Sequence, residues 1–348
     1  MAFDNSASAL RVLAPTSAPT QPFLRWAVAT DPAAWDAEVA LLGVPHSEPY
    51  PGDPNPNDQT RAPDAVRRSS GQISDGNSHW DFDLNVDLAS VLPRCMDCGD
   101  VPWAGGSYDT YAARVTGLAR RLLASGAQLV VLGGDHGASI PILDALDVLE
   151  TRIHVVHIDA HLDWRTEVQG VRRGYSSPLY WASQQPWISG MTQIGLRGTG
   201  SARRAEVEAA RAFGSHIHTA AAVHAEGFDA ALATIPAQAP VYLTIDADGI
   251  DPTEMPGVMA PVPGGLHFDQ VAPFLRTLAA RHRIVGLDIV EIAPTFDAAN
   301  GITCITAGRL IVNVLGASWA PTGAFGRAVL AKTSNIENDV KNDVISKY

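Results

Sequence analysis

Apolar residues along the chain fall into short unbroken runs, separated by stretches in which they recur at helical spacing. Val39 to Val44 reads Val-Ala-Leu-Leu-Gly-Val and stops at Pro45, the pattern of a buried first strand. From Tyr108 to Ala127 the apolar positions Ala112, Val115, Leu118, Ala119 and Leu122 lie three and four apart, and Gly126 punctuates the end, which predicts an amphipathic helix. The alternation continues with strands expected over Gln128 to Leu132, Ile153 to Ile158, Val241 to Ile245 and Ile284 to Ile289, and helices over Ile142 to Glu150 and around Phe268 to Arg281. Strands that are aliphatic throughout, rather than alternating with polar residues, are buried on both faces. Strands separated by helices build βαβ units. The expected fold class is therefore α/β, a single-domain three-layer α/β/α architecture around a mainly parallel sheet.

The flanks carry no such pattern. Ser, Ala, Pro and Thr are mixed without period from Met1 to about Gln21, so residues 1–30 are expected to form an arm, residues 31–330 the domain, and residues 331–348 a C-terminal tail. The stretch from Ser47 to Gln59 is rich in Pro, Asn and Asp and reads as a long surface loop, a common carrier of function.

Composition narrows the partners. The chain has 348 residues, of which 46% are hydrophobic and 18% charged, with 37 acidic against 25 basic residues and a net charge of −12. A negative surface without runs of Lys or Arg excludes nucleic acid as the expected partner and is compatible with a small cationic substrate. Three cysteines, Cys95, Cys98 and Cys304, are too few and odd in number for a disulfide framework. The pair Cys95 and Cys98 has Cys-x-x-Cys spacing but lacks the second pair that a four-ligand zinc site needs, so a structural role is expected. No secretory leader or membrane span is read, and the default location is cytoplasmic.

The chemistry concentrates in three segments, each behind an apolar run: Gly133-Gly134-Asp135-His136, Asp159-Ala160-His161-Leu162-Asp163, and Asp246-Ala247-Asp248-Gly249-Ile250-Asp251-Pro252. In a parallel sheet the carboxyl ends of the strands form the functional crevice. Asp159, His161 and Asp163 share one face if the segment is extended, and Asp246 and Asp248 do likewise. Carboxylates converging in one crevice repel unless cations neutralise them. Oxygen-rich donors with one imidazole per ion suit Mn²⁺, with Ni²⁺ and Co²⁺ as alternatives. Two divalent ions activate water for hydrolysis.

These segments closely resemble the three signatures of the ureohydrolases, the arginase and agmatinase superfamily. Weaker matches extend the resemblance from about Leu41 to Gly316: Ala62 to Arg67, Asp97 to Val101, Pro263 to Leu266, and Asp288 to Pro294. The resemblance implies that His136 and Asp163 hold one ion and His161 and Asp248 the other, with Asp159 and Asp246 bridging. It also implies that Asp163 moves a proton and that Glu291 pairs with the substrate guanidinium, a charge-assisted contact. A trimer or hexamer, homomeric or heteromeric, is implied as well.

Departures from the family pattern bear on the substrate. Many members carry a histidine where Gly174-Tyr175-Ser176-Ser177-Pro178 places Tyr175, and a phenol with a pKa near about 10 is a poor acid–base group at neutral pH. Trp164 and Arg165 follow Asp163 where arginases help hold an amino-acid carboxylate. Trp164 is expected to line the pocket or to be core, and His267, after the Pro-Gly-Gly-Leu turn, to face the pocket. Met255, Val258 and Met259 suggest a pocket trimmed for a compact substrate. The expected function is cleavage of a C–N bond in a small guanidine compound, giving urea or guanylurea and an amine. Guanidine, a guanidino acid, agmatine and an alkyl biguanide such as metformin stand ahead of arginine, and the biguanide case favours nickel. The alternative is a non-catalytic subunit that assembles with an active paralogue. His154 and His157 are expected as core or supporting residues, and His216, His218 and His224 as surface residues.

Overall fold

The computed structural model describes residues 13–53, 58–74, 78–103 and 105–328. Its strands are β1 (Ala27–Val28), β2 (Val39–Val44), β3 (Trp80–Asp81), β4 (Val86–Asp87), β5 (Cys95–Asp100), β6 (Gln128–Gly133), β7 (Ile153–Ile158), β8 (Ile188–Leu196), β9 (Ser215–Thr219), β10 (Val241–Asp246) and β11 (Ile284–Val290). Nine of them form one sheet in the order β1-β5-β2-β6-β11-β10-β7-β8-β9. Every neighbouring pair is parallel. The short β3–β4 ribbon stands apart.

Alternation of side chains divides the core into two hydrophobic layers, one on each face. Leu41, Val130, Val156 and Leu243 join the layer that receives the helices Phe268–Arg281 and Ile302–Trp319. Ala40, Leu42, Leu129, Val131 and Val155 join the layer that receives Tyr108–Ala124 and Ser139–Ala145. The three-layer expectation therefore holds, and the strands and helices read from the sequence appear with ends shifted by a few residues. The helix expected over Ile142 to Glu150 starts earlier, at Ser139, and closes as a 3₁₀ turn over Leu146–Leu149.

Other elements carry weak signals for identifiable reasons. β8 reads Ile-Ser-Gly-Met-Thr-Gln-Ile-Gly-Leu, because Thr192 and Gln193 bond buried histidines on β7. β5 is polar because Asp97 and Asp100 meet Arg67. The segment Ile302–Ala328 is long and apolar enough to cross a membrane, with mean hydropathy 1.3 over its best window, but 78% of that window is buried inside the domain. It is apolar on all sides because it is a core helix.

The expected arm needs correction. Residues 1–12 lie outside the described residues, as does the tail beyond 328, but the part from Leu13 onward is seated on the domain. Phe23 and Leu24 are buried, β1 lengthens the sheet, and Ser17 exchanges two 2.8 Å backbone hydrogen bonds with Asp100. Apolar anchors spaced irregularly through a Pro-rich stretch leave no period to read. The cysteines are free, and burial pushes the Cys95 thiol up to about 12, as befits a structural residue.

One ion pair ties distant segments together beneath the sheet edge. Arg67 is fully buried, forks onto both oxygens of Asp97 at 2.9 and 3.0 Å, and reaches Asp100 at 2.5 Å. Asp97 also accepts the backbone N–H of Phe23 at 3.0 Å. Removing the cation would leave buried carboxylates uncompensated. Arg67→Met is expected to destabilise the fold by about 3–5 kcal/mol in urea unfolding, and a loss below about 1 kcal/mol would show that the pair does not anchor these segments.

Candidate metal centre

The sheet register explains why distant motifs meet. Ile245 of β10 pairs with Ile158 of β7 and Ile289 of β11, and Ile289 pairs with Leu132 of β6. The next position on each strand is Asp246, Asp159, Val290 and Gly133, which form one row at the carboxyl edge. Asp159 and Asp246 thus stand on adjacent strands, about 4.8 Å apart in the pairing direction. His136 arrives one turn beyond β6, and Gly134 makes that turn possible. A Cβ on Gly134 would sit 1.8 Å from the His46 carbonyl oxygen.

The other ligand candidates do not converge by strand alternation, contrary to the extended geometry expected from their spacing. The chain leaves β7 at Ile158, and Asp163 takes a left-handed φ of 51°. Asp246 Oδ1 caps a 3₁₀ turn by accepting the Asp248 N–H at 2.8 Å. Turns, not pleats, aim Asp163 and Asp248. Glu291 is also left-handed, at φ 64°. Non-glycine residues in this region are uncommon and collect at functional sites.

All six expected donors come together. His136 Nδ1 lies 2.9 Å from Asp163, 3.2 Å from Asp246 and 3.4 Å from Asp159. His161 Nδ1 lies 3.1 Å from Asp248 and 3.3 Å from Asp159. A hydrogen-bond chain fixes the His136 tautomer. Tyr242 OH donates to Asp288 Oδ2 at 2.7 Å, Thr244 Oγ1 donates to Asp288 Oδ1 at 2.5 Å, and Thr244 Oγ1 is left to accept from His136 Nε2 at 3.0 Å. With its proton on Nε2 committed to Thr244, the ring turns Nδ1 toward three carboxylate oxygens, and this buried atom has no hydrogen-bond partner. Positive charge at that point, a proton on Nδ1 or a metal ion bound to it, reconciles the arrangement, and the donor set of two imidazoles and four carboxylates fits a metal pair.

Electrostatics agree. Burial favours the neutral form of both histidines, but the surrounding carboxylates outweigh it, holding His136 well above its ordinary value and pushing His161 up to about 12. Burial raises Asp246, Asp248 and Asp163, and neighbouring carboxylates raise them further. The cluster therefore holds positive charge as protons or as metal ions.

A cavity of about 370 Å³ opens over the cluster, lined by His161, Asp163, Asp246, Asp248 and Glu291, by Tyr175 and Ser176, by Asp53 and Gln59, and by Thr199–Ser201, Met259 and Ala260. Glu291 Oε1 accepts the His136 N–H at 2.7 Å, and the Gln59 amide donates to Oε2. Tyr175 OH donates to Asp53 at 3.0 Å, and its ring lies against Tyr50, with centroids 4.1 Å apart. Burial and the Asp53 carboxylate push the Tyr175 phenol far above its ordinary range.

Two expected substrate contacts lie elsewhere. Trp164 is in the core, 5.9 Å from the Phe213 ring. It is buried because the left-handed turn at Asp163 sends the next side chain away from the cavity. His267 caps the helix Phe268–Arg281, pairs with Glu254 at 3.0 Å and lies at a tilt beside His224, with ring centroids 5.6 Å apart. The expectation for His154 agrees with its place, since it bonds Thr192 and burial lowers it to about 4.

Asp135, inside the first motif, and Arg197, outside all three, make contacts around the site that the sequence did not disclose. Asp135 accepts from Ser47 Oγ at 3.1 Å and the Glu48 N–H at 2.6 Å, fastening the loop that carries Asp53 and Gln59. Arg197 binds the carbonyls of Asp248 at 2.6 Å, Gly249 at 3.2 Å and Val262 at 2.7 Å, joining the third motif to the cavity's other wall. The Pro, Asn and Asp content of residues 47–59 pointed to a functional loop without naming the contacts.

A parallel α/β sheet with paired imidazoles and shared carboxylates at its carboxyl edge defines a hydrolase with two divalent metal ions per site. A family model described as "Arginase family" matches residues 37–316, so the chain belongs to the arginase family of ureohydrolases, in its agmatinase-like branch, and acts on C–N bonds of linear amidines. Among its relatives is the agmatinase of Sodalis glossinidius (strain morsitans), 32% identical over 298 residues that cover 84% of this chain and 91% of that one. Similar solved structures include proclavaminate amidino hydrolase from Streptomyces clavuligerus, at TM-score 0.70 and 28% identity over 87% of this chain and 98% of that one. A hypothetical agmatinase from Burkholderia thailandensis matches at TM-score 0.71 and 27% identity, over 90% and 96%.

Proton competition gives a direct test. His161 keeps a proton up to about pH 12 in the metal-free protein, so making Nδ1 a ligand displaces that proton at neutral pH. Mn²⁺ binding is expected to release at least about one proton per chain and to strengthen as pH rises. Calorimetric titration in two buffers of different ionisation enthalpy counts the protons, and a count of zero would contradict the assignment of His161.

Proposed function

We propose that the chain hydrolyses a small guanidine compound without a carboxylate, with His136 and Asp163 holding one ion, His161 and Asp248 the other, and Asp159 and Asp246 shared by both. The observation that carries this is the buried, partnerless Nδ1 of His136 aimed at three carboxylate oxygens. The same observation supports catalysis over a scaffold role, because a scaffold gains nothing from mutually repelling buried acids. When bound, the ion pair supplies Lewis acidity and lowers the pKa of water at the site.

The protein's own groups divide the remaining work. Glu291 lies on the cavity wall with each oxygen already taking one hydrogen bond, and each keeps a lone pair for a guanidinium N–H. Asp163 reaches the cavity and is the carboxylate placed to take a proton from water and pass it to the leaving amine. Tyr175 is not that acid, since its proton is directed to Asp53 and its phenol is held above its ordinary range.

Charge in the cavity supports the substrate class. Among the described residues lining it no Lys or Arg occurs, while Asp53 stands at the mouth. The neighbouring residues 54–57 read Pro-Asn-Pro-Asn and add no cation. Arginine or a guanidino acid would bring a carboxylate with no Lys or Arg to pair with among the described lining residues. Agmatine, the substrate that the relatives' names indicate, is the first candidate, followed by guanidine and the cationic biguanide metformin, the last with nickel in place of manganese. We also propose an oligomer, which would cover exposed Trp80, Phe82 and Trp103.

Protein loaded with Mn²⁺ or Ni²⁺ is expected to release urea or guanylurea from one of these carboxylate-free compounds. Arginine or guanidinobutyrate outpacing all of them would overturn the substrate class. Asp163→Asn is expected to fold and to lose at least about a thousandfold in kcat, and a wild-type rate would remove Asp163 from the mechanism. Tyr175→Phe is expected to keep kcat within about tenfold and to leave the kcat–pH profile unshifted, whereas loss of the basic limb would make the phenol the acid.

A further inference from the structure

A second row of polar side chains lies beneath the ligand row, on the same face of the sheet. Pairing places Asp288, Thr244, His157 and Gln193 side by side on β11, β10, β7 and β8, and all four are fully buried. Polar groups at that depth need partners for every strong donor and acceptor. Asp288 and Thr244 serve His136, whereas His157 and Gln193 make no hydrogen bond to it.

Their hydrogen bonds can be oriented without ambiguity. Gln193 Nε2 lies 3.0 Å from the Leu162 carbonyl oxygen, which only accepts, so the amide nitrogen faces that side and Oε1 accepts from Ser215 Oγ at 2.7 Å. The second N–H of the amide then donates to His157 Nδ1 at 3.1 Å, which must present a lone pair. The ring proton therefore sits on Nε2, 2.7 Å from Asp159 Oδ2. His157 lies near enough to His136, Asp159 and Asp163 to be counted as a ligand by proximity. Both its nitrogens are engaged, which leaves no lone pair for an ion.

Asp159 is held from both sides. Its Oδ2 takes the His157 proton and lies 3.4 Å from His136 Nδ1, while its Oδ1 takes the His161 backbone N–H at 2.5 Å and lies 3.3 Å from His161 Nδ1. One oxygen faces each ion position. We propose that Ser215, Gln193 and His157 form a positioning relay that locks the His157 tautomer and stops the Asp159 carboxylate from rotating, so that it bridges two ions instead of closing on one. The relay rests on the two-metal reading and adds residues on three strands that no metal contacts.

The test follows metal stoichiometry. Metal-free protein would be titrated with Mn²⁺ and read by electron paramagnetic resonance, which separates coupled pairs from single ions. Wild type is expected to fill as pairs. His157→Phe is expected to bind one ion normally and the second about 10- to 100-fold more weakly. His157→Gln, which keeps an N–H donor, should recover most of the loss, and Gln193→Met should show a smaller loss in the same second step. ¹⁵N NMR of His157 in the metal-free protein should report Nε2–H. Circular dichroism and the melting temperature establish that each variant is folded, and Gln193→Met carries the test if His157→Phe is not. Undiminished second-ion affinity in a folded variant, or an Nδ1–H tautomer, overturns the relay alone. A wild type that never takes a second ion overturns the two-metal reading with it.

Discussion

Four buried aspartates gathered in one pocket set the terms for the rest of the molecule. Charges of one sign in a low-dielectric interior repel strongly, and the chain places Asp159 and Asp246 on adjacent strands in the same row. Such a pocket persists only with positive charge inside it and with rigid surroundings that prevent the acids from turning away. The surroundings are visible as a polar layer under the site, the Arg197 clamp on carbonyls behind Asp248, and the hydrogen bonds that fasten the 47–59 loop to Asp135. Both left-handed residues at the site, Asp163 and Glu291, sit where the backbone must bend sharply to point a carboxylate inward. The stability of the large aliphatic core offsets the cost of that bending.

The parts of this arrangement that the sequence reveals are those with an unbroken local signature. The central strands are aliphatic because they are buried on both faces, and the motifs that follow them contain the six side chains that gather in the pocket. The geometry of those donors was not legible, since a spacing of two suggests a pleat and the structure uses turns. Trp164 and His267 illustrate the same limit, because one left-handed residue or one capping interaction reverses where a side chain points. The strands β5 and β8, each one in from an edge of the sheet, escaped notice for a related reason. Their polar residues serve neighbours across the sheet, so their pattern records tertiary partners rather than the strand's own period.

The cavity adds a second constraint that bears on recognition. Its charged lining is acidic apart from His161, and Tyr175 on its wall is tied to Asp53 and packed on Tyr50. This part of the wall is a fixed aromatic surface beside a carboxylate.

The place of β11 has a consequence for how the site comes into being. This strand is the last of the sheet to be made, yet it lies at the centre, between β6 and β10. Until it is inserted, the strands on either side form two separate half-sheets, with His136 on one and the other five donors on the other. A nascent chain shorter than about residue 290 thus has the site cut in two. Insertion of β11 joins the halves through contacts far apart in sequence, which is slow relative to local folding. The position that includes His136 is in this way completed only once β11 is in place, whereas Asp159, His161, Asp246 and Asp248 already share one half-sheet.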